Sequence, residues 1–361
     1  MKIGIITHYD VHNHGALLQL NALIKVLKDK GIEACALQFD KNYDFMGVGL
    51  KAKYDISIKS VGIYARYLCE KGIRRTLFNI CKGRILKAFR YQEGLVGEYY
   101  SEAKDIDATI IGSDEVFALH TGPTPVFFGY ACPGKKVFAY AGSFGPTNFD
   151  DIVAHHCLTF VSSGLNVMTG ISVRDKNSQE IVARLLGRSP ALVCDPVLLY
   201  GYERERKAFG PLNLPRYLLV YAYDNNMNAC AEVAEIKLYA RKRGLKIISA
   251  GFYHKWCDRN INVDPVELLN YFVNAACIVT DTFHGSVMSI LAEGNFAVRT
   301  RNNSNKLHNL LSEYNLTNRI ISKDQPMEQI LSEKIDYCRV HAELIRRREE
   351  SMAYLDSMIQ L

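Results

Sequence analysis

Apolar and polar positions fall into blocks that switch between two periods. Residues 2–7 (KIGIIT) form a short, almost unbroken apolar run, the pattern of a strand covered on both faces. After a Gly-containing loop, Leu17, Leu20, Leu23, Ile24 and Leu27 recur at helical spacing, and Gly31 marks the end of that helix. EACALQFD then returns to strand character. Strand, helix, strand is the opening unit of a parallel sheet with right-handed crossovers. Residues 107–112, 171–174 and 191–194 and the run around 137–142 continue the strands, with a helical pattern at about 176–187 between two of them.

Pro196, Pro211 and Pro215 cluster with Gly201 and Gly210, so 196–215 reads as a linker. A second series follows. Strands are expected at 216–223, 245–249, 277–281 and 296–300, and helices at 227–242, at 264–275 and from His284 to Leu291. Residues 331–361 close the chain with a long helix rich in Arg and Glu. The pattern predicts two α/β domains, 1–195 and 216–330. The first carries a basic helical insertion at about 51–100.

Composition adds little to this picture but excludes much. With 361 residues, 48% hydrophobic, each half can bury its own core. Ten cysteines are scattered without a C-x-x-C pair, which points to a reducing, cytoplasmic setting and no zinc site. No run of about 18 apolar residues predicts a transmembrane helix. The apolar run after Met1 is too short for a signal-peptide core. No nucleic-acid partner is expected.

Charge is uneven. Residues 51–90 hold 11 Lys or Arg against Asp55 and Glu70, a balance of +9, while the whole chain carries +6. Aromatic and aliphatic residues interleave with these charges. A basic amphipathic segment of this kind either rests on anionic lipid headgroups at the membrane face or packs its apolar side on the first domain.

Candidate chemistry sits where apolar strands end, because ligands of open α/β sheets gather at strand carboxyl ends. Asn13 and Gly15 lie where the first loop enters its helix, and free N–H groups there favour an anion or a sugar hydroxyl. His8, His12 and His14 crowd the same loop, where polar lining is expected rather than a metal site. Gly112, Ser113 and Asp114 end another strand; Asp114 either orients a hydroxyl or a base, or caps the next helix. Ser143 follows a third strand. Arg174, at the end of 171–174, offers a planar fork for a carboxylate or phosphate, or an ion pair to Asp175 or Asp195.

The stretch 279–294 is the most informative. A strand ends at Asp281, Thr282 is placed to cap a helix, and His284 stands in its first turn. A helix N-terminus favours neutral imidazole and a bound anion favours the charged form, which suits general acid/base work. The alternative is a buried histidine bonded to a carbonyl. Arg299, Arg301 and Lys306 follow the last strand and are expected either to complete an anion pocket or to line a solvated loop. No P-loop, H-E-x-x-H or G-x-S-x-G occurs.

In this order, N-x-G-A-x-L-Q (Asn13 to Gln19), G-S-D (112–114), Y-A-x-S-F-G (140–145), S-x-R (172–174), Asp195-Pro196, T-D-x-F-H-G (280–285) and N-x-x-K (303–306) resemble the polysaccharide pyruvyl transferase family. The resemblance spans nearly the whole chain. It implies a GT-B-like fold, two Rossmann-like domains with mostly parallel sheets facing across a cleft. It also implies transfer of pyruvate from phosphoenolpyruvate to a sugar of a bacterial surface polysaccharide precursor, forming a ketal. The acceptor implied is a sugar or a lipid-linked oligosaccharide, and no cofactor or metal is required. By the resemblance, Arg174 grips the phosphoenolpyruvate anion and His284 is the general acid/base. Some members have an arginine two residues before this histidine that also holds the donor. Here that position is Thr282, and Arg299, Arg301 or Lys306 are the candidates to replace it. Two other readings stay open: a GT-B glycosyltransferase using a nucleotide sugar, and a sugar-binding family member without turnover.

Overall fold

Side chains alternate across a strand, and in this protein the alternation builds three apolar layers. The computed structural model describes residues 1–40, 72–301 and 304–360. Its first sheet contains β1 (Lys2–Ile6), β2 (Glu33–Gln38), β3 (Val96–Tyr99), β4 (Ala108–Ile111), β5 (Lys136–Gly142), β6 (Gly170–Val173) and β7 (Ala191–Leu192). They lie in the order β3-β2-β1-β4-β5-β6-β7, and every pairing is parallel. The second sheet contains β8 (Tyr217–Tyr221), β9 (Lys246–Ala250), β10 (Arg259–Ile261), β11 (Cys277–Thr280) and β12 (Phe296–Val298), in the order β10-β9-β8-β11-β12, again all parallel. These are two doubly wound, Rossmann-like sheets, the GT-B-like arrangement. Each reverses direction once, between β1 and β4 and between β8 and β11.

The alternation decides what each face touches. Ile3 and Ile5 of β1, Ile110 of β4, Tyr217, Leu219 and Tyr221 of β8 and Ile278 of β11 all enter one continuous core. That core also holds Leu17, Leu20, Leu23 and Leu27 of the His14–Asp29 helix, Leu268 and Leu269 of the Pro265–Val273 helix, and Val287, Ile290 and Leu291 of the Phe283–Leu291 helix. The opposite faces, with Ile6 and Ile111 in one sheet and Leu218, Val220 and Val279 in the other, pack into two separate clusters. The halves therefore share their middle layer beneath the cleft.

The segment 196–215 differs from the linker expected of it. Pro196–Tyr200 is a helix whose Pro196, Val197, Leu198 and Leu199 are buried. Proline at the first helical position has no N–H to waste, and Asp195 caps the turn by accepting from the Val197 N–H at 2.9 Å. Sequence reasoning read this proline as a break when it starts a helix. Of the basic insertion, residues 51–71 lie outside the described residues. Ile73–Gln92 is a helix, and β3 after it returns to the first sheet. The last helix, Tyr337–Gln360, folds back on the first half, where the Ser351 hydroxyl accepts from the Cys194 N–H at 2.9 Å.

His14 ties the two halves together. It is 1% exposed, its Nε2 lies 2.9 Å from the Val263 carbonyl, and its ring fills the space over Gly251, where a Cβ would sit 2.9 Å away. Burial pushes its pKa down from 6.5 to about 3, with Lys82 adding to the shift. The unfolded chain binds this proton below about pH 6.5 and the folded protein binds it only near pH 3, so acidification through that window favours unfolding. Urea unfolding of the wild type between pH 6.5 and 4 is expected to lose up to about 1.4 kcal/mol per pH unit from this group. His14→Gln should flatten the slope; an unchanged slope would show that His14 already protonates freely in the fold.

Candidate functional site

The two reversal points face each other, and the segments leaving them carry the candidate residues. From β1 comes the turn His8–Gly15, from β4 Gly112–Glu115, from β8 Tyr223, and from β11 Asp281–His284. Gly15 packs directly under His284: a Cβ on it would lie 2.2 Å from Cγ of the imidazole. Glycine is required here for close approach, not for a bare anion site, because the Gly15 N–H is already taken by Asn13 Oδ1 at 2.9 Å. Gly112 is also obligatory. Its φ is +109°, and a Cβ would meet the Tyr140 carbonyl at 2.4 Å.

Arg174, leaving β6, and His284, opening its helix in the second half, meet at Asp195. Asp195 Oδ2 accepts from Arg174 Nη1 at 3.0 Å and lies 3.8 Å from His284 Nε2, while Oδ1 caps the Pro196–Tyr200 helix. Arg174 Nη1 also donates to Gln19 Oε1 at 3.1 Å and Nη2 to Asp114 Oδ1 at 3.1 Å. The Phe283 ring covers the guanidinium at 4.6 Å. Burial works against both carboxylates, yet both are held below the usual range. For Asp195 the opposing groups are His284, Arg174 and the Val197 N–H; for Asp114 they are led by Arg174, with His8, His284 and Lys306 assisting.

The expected role of Arg174 changes accordingly. Its side chain is 2% exposed, and two carboxylates and a glutamine occupy its terminal nitrogens. The guanidinium holds the site together and presents no free fork. Of the two partners considered from sequence, Asp195 is the one bonded.

Thr282 caps the Phe283–Leu291 helix as its position predicts, accepting from the Gly285 N–H at 2.9 Å. Its hydroxyl also meets Thr280 Oγ1 at 3.2 Å; the Thr280 proton goes to the Tyr221 carbonyl, so Thr282 donates there. Thr282 is 3% exposed and serves the cap rather than a ligand. Ser143 is fully buried; it donates to Asp175 at 2.7 Å and accepts from the Gly145 N–H, so it lines no cleft. Ser113, 2% exposed, donates to Gln19 Oε1 at 2.8 Å and supports Arg174 from behind.

The cations after β12 are likewise engaged. Arg299 pairs with Glu235 at 2.7 Å and Glu232 at 3.5 Å. Arg301 pairs with Glu232 at 2.8 Å and stands 3.6 Å from Asp281, whose pKa burial lifts to about 6 despite Asn226 and Arg301. Acids on the Cys230–Lys242 helix thus draw both arginines away from the expected anion pocket. Lys306 reaches across the cleft to Glu115 and pairs with it. Asn303 lies outside the described residues. The three histidines of the first loop diverge: His8 stacks edge-on to Phe127 at 4.8 Å, His12 lies over Gly83, and His14 turns to Val263. Among the described residues no group of three or more His, Cys, Asp or Glu is arranged to hold a metal ion.

Sequence reasoning passed over three residues of this site and gave a fourth, Asp195, only the ion pair to Arg174. Gln19 stood inside a recognised motif without an assigned role. Glu115 follows Asp114 directly. Tyr223, 39% exposed, faces Asn13, Asp114, Glu115 and Asp281, and no motif marked it. The network makes Asp195 its most costly member to remove. Asp195→Ala strips a cap and a buried partner of Arg174, and should cost about 3–5 kcal/mol in urea unfolding. Asp195→Asn keeps the cap and should cost less; equal losses would mean that the lost charge accounts for the whole effect and the cap for none of it.

No curated protein matches the sequence. Among solved structures, the UDP-GlcNAc 2-epimerase of Methanocaldococcus jannaschii in complex with UDP-GlcNAc and UDP aligns with a TM-score of 0.49 at 12% identity, covering 100% of each chain. A putative UDP-N-acetylglucosamine 2-epimerase from Listeria monocytogenes aligns at 0.48 and 10% identity, covering 97% of this chain and 89% of its own. The glycosyltransferase SnogD from Streptomyces nogalater aligns at 0.41 and 11%, covering 98% and 95%. The sequence model of the polysaccharide pyruvyl transferase family matches residues 13–303, a stretch that holds Asn13, Asp114, Arg174, Asp195 and His284, so the chain belongs to this family of transferases.

Proposed function

We propose that the protein transfers pyruvate from phosphoenolpyruvate to a sugar of a surface polysaccharide precursor and closes a cyclic ketal, without a metal or redox cofactor. The observation that carries this reading is the placement of His284, Asp195 and Arg174 as one contact across the two halves of a pyruvyl transferase family member.

The reaction moves protons and phosphate only. A proton added to the enol CH2 carbon makes a methyl group and leaves an oxocarbenium-like centre at the adjacent carbon. One sugar hydroxyl adds there and gives up its proton; the C–O bond to phosphate breaks, and a second hydroxyl closes the ring as its own proton leaves. His284 supplies and collects protons. Its Nε2 faces the Asp195 carboxylate, which assigns the N–H to that side and leaves Nδ1 as the working nitrogen. Arg174 acts through Asp195 and Asp114, fixing both carboxylates while the centre carries positive charge.

We further propose that the Ile73–Gln92 helix rests on an anionic lipid surface, bringing the active site to a membrane-held acceptor. The helix carries six Lys or Arg and no acid. Ile73, Leu77, Ile80 and Tyr91 are 49–88% exposed, and Arg74, Arg84 and Lys87 point outward among them. No helix among the described residues is long and apolar enough to cross a membrane.

Phosphate release from phosphoenolpyruvate that requires a sugar acceptor is the expected activity. His284→Ala should abolish it with the fold intact, and Gly15→Ala should lower it about 100-fold by pushing the imidazole aside. No release across a broad acceptor panel, with thermal stabilisation by UDP and none by phosphoenolpyruvate, would sink the reading in favour of a nucleotide-sugar transferase. The protein should sediment with phosphatidylglycerol vesicles and not with phosphatidylcholine, and Arg84→Glu with Lys87→Glu should remove the difference. Equal sedimentation of wild type and double variant overturns the membrane assignment.

A further inference from the structure

Among the described residues, Lys82 is a cleft cation without a hydrogen-bonded acid. It sits mid-helix in Ile73–Gln92, 5% exposed, with its ammonium 4.1 Å from the centre of the Phe252 ring. It has no hydrogen-bond acceptor among the described residues. Asp224 is the carboxylate that acts on it, but that carboxylate is already occupied by Arg75 Nε at 3.0 Å, Asn79 Nδ2 at 3.1 Å and the Tyr253 N–H at 2.9 Å. Burial lowers the pKa of Lys82 to about 8, so it remains charged at neutral pH. A buried ammonium carries three donors and loses hydration that one aromatic face replaces only in part.

Its neighbours place it at the edge of the cleft. Phe252 also packs edge-on against Tyr223, ring centres 5.4 Å apart, and Tyr223 faces Asn13 and the carboxylates around His284. Beside Lys82, Gly83 lets the His12 ring approach: a Cβ there would lie 3.0 Å from Cε1. Burial and Lys82 both lower the pKa of His12, so its imidazole is neutral and has an N–H to offer. Arg174, Arg299, Arg301 and Lys306 are each paired with carboxylates, and Lys82 is not.

We propose that Lys82, flanked by His12 and Tyr223, is a subsite for a phosphate-type anion of a substrate. Two sources share this chemistry, a diphosphate linkage on the sugar acceptor and the phosphate of phosphoenolpyruvate. Assignment to either source rests on the pyruvyl-transfer reading; the anion subsite itself does not.

Calorimetric titration of the full chain with inorganic pyrophosphate and, separately, with phosphoenolpyruvate tests it. Lys82→Met fits the same apolar stem against Phe252 and should fold. Its affinity for at least one of the two probes should fall tenfold or more, and Lys82→Arg should recover most of it. Lys104→Met, at an exposed position in the loop before β4, should bind as the wild type does. A loss confined to pyrophosphate assigns the subsite to the acceptor linkage, and a loss confined to phosphoenolpyruvate assigns it to the donor. Unchanged affinity for both probes, or no binding of either by the wild type, overturns the proposal. A wild type that releases no phosphate from phosphoenolpyruvate, yet loses pyrophosphate binding in Lys82→Met, keeps the subsite and removes the pyruvyl-transfer reading.

Discussion

One carboxylate sets the geometry on which the rest of the site depends. Asp195 follows the edge strand β7 of the first sheet, starts a helix with one oxygen, and with the other holds Arg174 and faces His284. Burial alone would neutralise such a group. It stays ionised because a guanidinium, an imidazole and a backbone N–H converge on it. Moving any of the three moves the others, so the first sheet, the Pro196–Tyr200 helix and the second half share one register at this point.

Apart from Lys82, the cations of the cleft among the described residues are balanced locally. Arg174 answers Asp114 and Asp195, Lys306 answers Glu115, and Arg299 and Arg301 answer the acids of the Cys230–Lys242 helix. Paired charges of this kind gain rigidity more than net stability, because their desolvation offsets much of the attraction. They also make the cleft selective: an anion entering among them competes with carboxylates already in place.

Much of this was legible in the sequence, and the gaps have physical causes. Strand ends were readable because buried parallel strands are apolar runs that stop abruptly, as at Ile111 and Thr280. The Thr282 cap followed from its position before a helical run. Long-range partners were not legible. Nothing near Arg299 in sequence announces Glu235, and nothing near Ser143 reveals that Asp175 will consume its hydroxyl. Gly15 was rightly singled out, but for the N–H it bears rather than for the Cβ it lacks. Lys82 looked like one charge among many in a basic stretch, since burial of a single lysine leaves no mark on local composition. The short edge strands β3 and β10 escaped because three or four residues carry too little pattern.

The middle apolar layer, common to both sheets, bears on how a substrate gets in. Large hydrophobic interfaces resist the hinge motions that small polar ones allow. A clamshell opening here would expose Leu17, Leu219 and Val287 to water at once. Entry and exit are therefore a matter for the rim, where Tyr223 meets solvent, while the shared layer keeps the two lobes together as one frame.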